Sequence, residues 1–88
     1  MSLVVSDLKI DKSSYKPGET VQIYYKVANI GDRHVMAKLI YTVDGSVVKE
    51  GYRLIYAGDT VEIIDYVNAP QQGGSHQLCV DAEVYAVY

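Results

Sequence analysis

The chain has very little cysteine, and two of the three large aromatic residue types are absent. Cys79 is the single cysteine, so no disulfide within the chain can stabilise the fold. Phenylalanine and tryptophan do not occur, whereas tyrosine occurs nine times. A buried tyrosine needs a partner for its hydroxyl, and an exposed one offers a rigid contact area. A core of this size cannot hold all of them, so we expect several tyrosines at the surface.

Clusters of basic residues and long apolar runs are also missing. The eight Lys and Arg residues are scattered, and the formal net charge is −3. They form no stripe that could neutralise a run of phosphates, which argues against nucleic acid as a partner. No apolar run approaches the ~20 residues of a membrane-spanning helix, so we expect no membrane span. The opening Met1-Ser2-Leu3 lacks the features of a signal peptide.

The length allows one domain. With 88 residues, 49% of them hydrophobic, the chain can bury one core, and a second domain would have nothing left to bury. We therefore expect a single domain over residues 1–88.

Apolar residues alternate with a period of two almost throughout, which predicts strands and no helix. The alternation is clearest in residues 20–28, where Val21, Ile23, Tyr25 and Val27 share one face. In the first strand, the phase changes near Ser6-Asp7, as a bulge would produce. Further strands are predicted over residues 3–10, 35–44, 47–56, 60–67 and from 75 onward.

Turn residues separate these strands. Pro17-Gly18 suits a type II turn, and Asp44-Gly45 suits a tight hairpin in which both central residues have positive φ. The charged return strand after Gly45 has the character of a sheet edge. Short strands joined by such turns predict an all-β, immunoglobulin-like sandwich of about six or seven antiparallel strands.

The order of several short motifs resembles one family, the CARDB (APHP) type of immunoglobulin-like domain. The matching segments, covering nearly the whole chain, are Asp7-Leu8-Lys9-Ile10, Tyr15-Lys16-Pro17-Gly18-Glu19-Thr20-Val21, Val27-Ala28-Asn29-Ile30-Gly31, Tyr41-Thr42-Val43-Asp44-Gly45, Ala57-Gly58-Asp59-Thr60, Pro70 to His76 and Val80-Asp81.

This resemblance implies a seven-stranded sandwich in extracellular archaeal or bacterial proteins, associated with cell adhesion or with the support of neighbouring domains. It implies no catalytic residue. The end of the chain departs from the family pattern, because residues 82–88 continue without a Gly, Pro or Asn where the family turns into a final strand.

No residue pattern predicts catalysis, a cofactor or a metal. His34 and His76 lie at no short metal-ligand spacing from each other or from Cys79. A His76–Cys79 nucleophile pair would need an orienting group and a cleft, and we favour a structural role for both residues. The carboxylates of Asp7, Asp11 and Asp59 do not gather the six to eight oxygen ligands that Ca²⁺ takes, so we expect solvated loop carboxylates.

The first candidate interaction surface lies on the outward positions of two predicted strands. Tyr24, Met36 and Ile40 occupy positions where polar residues would normally face water. Tyr and Met are enriched where proteins meet, which favours a contact surface. The alternatives are that other strands bend across these residues, or that they are scattered surface residues without a role.

The second candidate lies in the uncharged segment after Glu83. It contains Val84, Tyr85, Val87 and Tyr88, all residues of high strand propensity. Such a segment can extend past the sandwich or complete the sheet of another subunit. The alternative is an ordinary last strand entered through a turn that the sequence does not reveal.

Two functions remain. The first is a non-catalytic interaction or adhesion module, extracellular or at the cell surface, that contacts a neighbouring domain or another protein, or a carbohydrate. The second is a structural subunit that assembles with identical copies into a filament, envelope or virion through its edge strands and tyrosines. An enzyme is a weaker interpretation than either.

Overall fold

Six antiparallel strands form two three-stranded sheets in the computed structural model, which describes residues 2–88. The strands are β1 (Leu3–Ile10), β2 (Thr20–Asn29), β3 (Val35–Val43), β4 (Ser46–Ile55), β5 (Thr60–Asn68) and β6 (Leu78–Val87). Sheet A has the order β1-β2-β5, and sheet B has the order β4-β3-β6. The predicted all-β sandwich is confirmed, with six strands in the described residues.

The division of strands between the sheets follows the immunoglobulin pattern. Strands β1, β2 and β5 match strands A, B and E of that fold, and β4, β3 and β6 match strands C′, C and F. In the immunoglobulin fold a strand G lies beside F. Among residues 2–88 no strand pairs with the outer edge of β6, so β6 is an edge strand.

The core lies between the two central strands. Val21, Ile23, Tyr25 and Val27 of β2 are all buried, as their alternation predicts. Strand β3 supplies the opposing layer. Its buried residues are Val35, Ala37, Leu39 and Tyr41. Because β2 and β3 are each flanked by strands on both sides, their inward side chains are the best covered in the molecule.

One polar side chain, Asn29, is also buried and connects the sheets. Its amide Nδ2 donates to Arg33 O at 2.7 Å and to Ile55 O at 3.0 Å, and its Oδ1 accepts from Gly31 N at 3.1 Å. A buried polar group is stable only when hydrogen-bonded, and Asn29 meets that condition at the end of β2. The sequence showed this residue only as the end of a strand.

The two predicted turns are present. Gly18 has φ +74°, and Glu19 N donates to Lys16 O at 3.0 Å, which is the geometry expected of a type II turn with Pro17 at its second position. Asp44 and Gly45 have φ of 51° and 84°, as a type I′ hairpin requires. The strand that follows, β4, lies at the edge of sheet B as predicted.

The predicted irregularity in β1 is also confirmed. Asp7 has φ 58°, and the register with β2 shifts between Ser6 and Lys9. Leu3 before the bulge is buried, whereas Leu8 and Ile10 after it are exposed. Only the first half of β1 therefore covers the core.

Candidate interaction surface

The three outward residues predicted to share a face lie on opposite sides of the sandwich. Tyr24 is on the outer face of sheet A, where its register partner on β5 is Ile64. Met36 and Ile40 are on the outer face of sheet B, in the central strand β3. The prediction of one Tyr24–Met36–Ile40 face is therefore corrected. Strand periodicity shows which residues point outward, but not to which sheet a strand belongs.

The C-terminal residues pair within their own sheet. Val87 lies opposite Val35 on β3, and Tyr88 N donates to His34 O at 2.8 Å. The Arg33 Nε also donates to Tyr88 O at 2.8 Å. The segment therefore does not extend past the sandwich. It continues β6, whose outer edge has no partner strand among residues 2–88.

Near this end, Tyr85 points outward and the register with β3 shifts directly after Val84. Val84 lies opposite the inward Ala37, whereas Ala86 lies opposite the outward Met36, so Tyr85 is the extra residue of a bulge. The Tyr85 ring meets the ring of Tyr52 from β4 edge to face, with centroids 5.0 Å apart and an interplanar angle of 69°. The two side chains stay 65% and 55% exposed.

These rings form the centre of a surface that we name the tyrosine patch, in which Tyr52, Leu54 and Tyr85 are exposed and the other two residues are half-buried. Its five residues lie on the outer face of sheet B and are Met36, Ile40, Tyr52, Leu54 and Tyr85. Leu54 is the register partner of Met36, next to the tyrosine pair. The patch is crossed by a polar pair, Lys38 Nζ to Glu50 Oε2 at 2.9 Å. It therefore combines apolar area with charges that are already neutralised.

Sequence reasoning identified Met36, Ile40 and Tyr85 but missed Tyr52 and Leu54. The signal was present, because Tyr52 and Leu54 are two residues apart and so share one face of β4. This shared face was overlooked because Lys49, Glu50 and Arg53 make the strand as a whole look charged. The remaining candidates, Val84, Val87 and Tyr88, lie on β6 or directly after it, and all three are exposed.

His34 has a structural position at the end of sheet B. Its Nδ1 accepts a hydrogen bond from Ala57 N at 3.0 Å, and its ring meets that of Tyr56 edge to face at 4.8 Å. Its carbonyl accepts from Tyr88. The residue thus joins the loop before β3 to the turn after β4 and to the end of the chain.

His76 holds the hairpin turn against the loop that leads into β6. Its Nδ1 lies 2.6 Å from Asp44 Oδ2, and its Nε2 lies 2.9 Å from Gln72 O. Both ring nitrogens face acceptors, and the hydrogen bond to Asp44 raises the pKa of His76 because it favours the doubly protonated ring. The hydrogen bond from His76 in turn lowers the pKa of Asp44. No hydrogen bond joins Cys79 to His76 in the described residues, and Cys79 is exposed.

Two of the three carboxylates considered for Ca²⁺ have protein partners. Asp7 pairs with Lys26 at 3.6 Å, and Asp11 accepts from the Tyr15 hydroxyl at 2.6 Å. Within residues 2–88, no group of three or more His, Cys, Asp and Glu side chains could hold a metal ion.

A tyrosine network closes one side of the sandwich, between β4 and β5. The hydroxyls of Tyr25 and Tyr41 lie 2.6 Å apart, and Tyr41 also donates to Asp65 Oδ2 at 2.9 Å. Lys49 Nζ bonds the other oxygen of Asp65 and donates to Tyr66 O at 3.0 Å. Burial raises the pKa of Tyr41. Burial also opposes ionisation of Asp65, but the hydrogen bonds from Lys49, Tyr66 N and Tyr41 outweigh it and lower the pKa of that carboxyl.

Comparison with known proteins gives no relative. No family model, no curated protein and no solved structure matches this chain. In the part of the chain that the structure describes, no helix is long and apolar enough to cross a membrane.

Proposed function

We propose that this chain is a non-catalytic, protein-binding β-sandwich, an accessory or surface domain that contacts its partner through the tyrosine patch. The observation that carries the proposal is the Tyr52–Tyr85 pair. Both rings stay largely exposed although they contact each other, and Met36 and Leu54 lie beside them on the same face. The CARDB resemblance and an extracellular or cell-surface location belong to the same proposal and rest on the order of the sequence motifs.

The chemistry of the patch suits a protein partner. Tyrosine brings a large contact area at a low cost in side-chain entropy, because it has few rotatable bonds. Methionine and leucine add apolar area that can adapt to a partner. The charges of Lys38 and Glu50 already neutralise each other, so neither of these two would be buried as a lone charge on binding.

A self-assembling structural subunit is the second candidate function. The observation that favours it is that Tyr52, Leu54 and Tyr85 are all exposed on one face, beside a Lys38–Glu50 pair whose charges offset each other. Such a surface can meet its own copy around a two-fold axis, because an isologous contact brings the same residues together. Edge pairing is the other route to assembly.

One crosslinking experiment tests both candidates. In one variant, photoreactive benzoylphenylalanine replaces Tyr85. In a second variant, the matched control, it replaces Tyr66, which is 50% exposed on the outer face of sheet A. A protein partner predicts a discrete adduct from position 85 that is absent from position 66. Self-assembly predicts adducts at multiples of the chain mass with the purified protein alone.

A further substitution tests whether the crosslinking depends on the patch. Tyr52→Ser should strongly reduce the yield from position 85, because it removes the ring that packs against Tyr85. Equal yields from positions 85 and 66, or no adduct from either, would overturn the proposal. A turnover that is lost in His76→Ala or Cys79→Ser would show that the chain is an enzyme after all.

A further inference from the structure

The outer edge of β6 differs from the other sheet edges. Strand β1 has a bulge at Asp7, and β4 carries Lys49 and Arg53. The edge of β5 receives a hydrogen bond from Lys49 Nζ to Tyr66 O. Bulges, lysines and capping groups are devices that protect an edge from pairing with another strand. Strand β6 has ten residues, no Lys, Arg or Pro, and a bulge only near its end.

The inward side chains of β6 become uncovered along the strand. Val80 is 7% exposed, whereas Val84 is 40% exposed, although its register partner Ala37 is fully buried. Val87 is 51% exposed opposite the buried Val35. Side chains that face a core are normally covered by the opposing sheet. Within residues 2–88, no strand covers these two side chains on the β6 side.

On one side of the sandwich, β1 and β6 lie near each other without pairing. Residues Leu3 to Leu8 and Leu78 to Ala82 line a groove between the two strands. In residues 2–88, no hydrogen bond or ion pair joins β1 to β6, whereas Lys49 joins β4 to Asp65 of β5 on the opposite side. The sandwich is thus closed by polar contacts on one side only.

We propose that the outer edge of β6 accepts an extended segment of another protein as an additional strand of sheet B. The inference deepens the proposed function and rests on it, since it names the kind of partner that a binding module of this shape would take. The added strand forms main-chain hydrogen bonds with β6 and places every second side chain, an apolar one, in the groove. Its alternate side chains lie on the outer face of sheet B.

The charges on β6 define the chemistry of those outer side chains. Asp81 and Glu83 are exposed, lie on the outer face opposite Ile40 and Lys38, and form no ion pair within the described residues. Opposite charges on neighbouring strands are favourable, so the partner segment alternates apolar and basic residues.

A second copy of the chain fits this edge poorly. If β6 paired with β6 of another molecule, the carboxylates of Asp81 and Glu83 from both copies would gather on one face. Like charges on neighbouring strands are destabilising. The edge therefore favours a different protein over self-assembly.

A synthetic peptide tests the inference directly. The probe is a nine-residue peptide of alternating valine and lysine with blocked ends, and its control alternates valine and glutamate. The ¹⁵N-labelled full chain is titrated with each peptide and followed by NMR. We expect saturable shifts in β6 with the lysine peptide only, together with slower hydrogen exchange of β6 amides. Shifts centred on β4 or β5, or equal binding of both peptides, would overturn the proposal.

Charge reversal gives the matched variants. The double variant Asp81→Lys, Glu83→Lys should bind the lysine peptide at least about fivefold more weakly than the parent and the glutamate peptide more tightly. The reason is that two cross-strand charge pairs change sign. Asp59→Lys with Glu62→Lys makes the same change of charge at the start of β5, in the other sheet, and should leave the preference intact. Val84→Thr should weaken binding of the lysine peptide by removing apolar area from the inward face of β6.

The results separate this inference from the proposed function. If neither peptide binds but position 85 still crosslinks a partner, the strand-acceptor proposal is wrong and the binding function stands. If the lysine peptide binds β6 and position 85 gives no adduct, the patch proposal is wrong and the edge is the binding site. A dimer that forms through β6, detected by sedimentation and abolished by Asp81→Lys, would also overturn the strand-acceptor proposal.

Discussion

The hydroxyls of Tyr25 and Tyr41 lie 2.6 Å apart between the two sheets, on the side toward β4 and β5, and one is contributed by each sheet. The rings meet edge to face with centroids 5.9 Å apart. The Tyr41 hydroxyl donates a hydrogen bond to Asp65, so its hydrogen is not available to Tyr25. The hydrogen bonds therefore form a directed chain, in which Tyr25 donates to Tyr41 and Tyr41 donates to Asp65. The core of this protein therefore contains a polar bridge between its two layers.

The direction of that chain predicts unequal costs for removing each hydroxyl. Tyr41→Phe takes the acceptor from Tyr25 and a donor from Asp65, and should cost about 1–3 kcal/mol of unfolding free energy. Tyr25→Phe leaves the Tyr41–Asp65 bond in place and should cost about 1 kcal/mol. Urea denaturation at neutral pH measures both, with Tyr66→Phe at the surface as a control expected within about 0.5 kcal/mol of the parent. A larger loss for Tyr25→Phe would contradict the directed chain.

Asn29 should tolerate no change of its amide. In Asn29→Asp the side chain keeps its shape, but the donor to Arg33 O and Ile55 O is lost and a carboxylate faces two carbonyl oxygens. We expect a loss of about 3 kcal/mol or more, because a buried charge without an opposite charge is added to two broken hydrogen bonds. Asn68→Asp is the control, since Asn68 is exposed at the end of β5. Thermal and urea unfolding of the two variants should differ clearly, and equal stability would refute this role.

The His76–Asp44 contact predicts a dependence of stability on pH. The pKa of His76 is raised in the folded chain. Its contribution to folding stability is therefore fully present below the pKa of the unfolded chain, about 6.5, and is lost as the pH rises through the pKa of the folded chain. The pKa of Asp44 is lowered, so its contribution is present above about pH 3.9 and is lost as the pH falls through the folded pKa.

The stability difference between the parent and His76→Gln should therefore be largest at mildly acidic pH and shrink toward alkaline pH. Denaturation at several pH values measures it, and an NMR titration of the His76 ring gives the pKa itself. Asp44→Asn should move that pKa down, since it removes the carboxylate that favours the protonated ring. A His76 ring that titrates at or below its ordinary value would show that the contact does not persist in solution.

The hairpin between β3 and β4 depends on the backbone of Gly45. Its φ of 84° is costly for a residue with a Cβ, although nothing lies within 4 Å of the position such a Cβ would occupy. Gly45→Ala should therefore cost about 1–2 kcal/mol through backbone strain alone. Gly51→Ala in β4 is the matched control, because its surroundings are equally open and its φ is not positive. We expect that control to be neutral or slightly stabilising in urea denaturation.

The candidate site depended more on tertiary structure than the fold did. Met36, Ile40 and Tyr85 were predicted from outward position or strand propensity, and all three lie on the outer face of sheet B. Tyr24 was grouped with them because it also points outward, but β2 belongs to the other sheet. The contact between Tyr52 and Tyr85 joins residues of two strands that do not pair with each other. No local pattern contains that information.

The sequence by itself determined the local conformations. The alternation around Tyr25 determined the buried face of β2, and Gly18, Gly45 and the phase change at Asp7 determined two turns and a bulge. Such features depend on the φ and ψ preferences of neighbouring residues and on the two-residue period of a strand. The tertiary structure alone decided that Asn29 bridges the sheets, that the β4/β5 side is closed by Lys49, and that the edge of β6 is left open. These features depend on which distant strands become neighbours, and that is decided by the packing of the whole chain around one core.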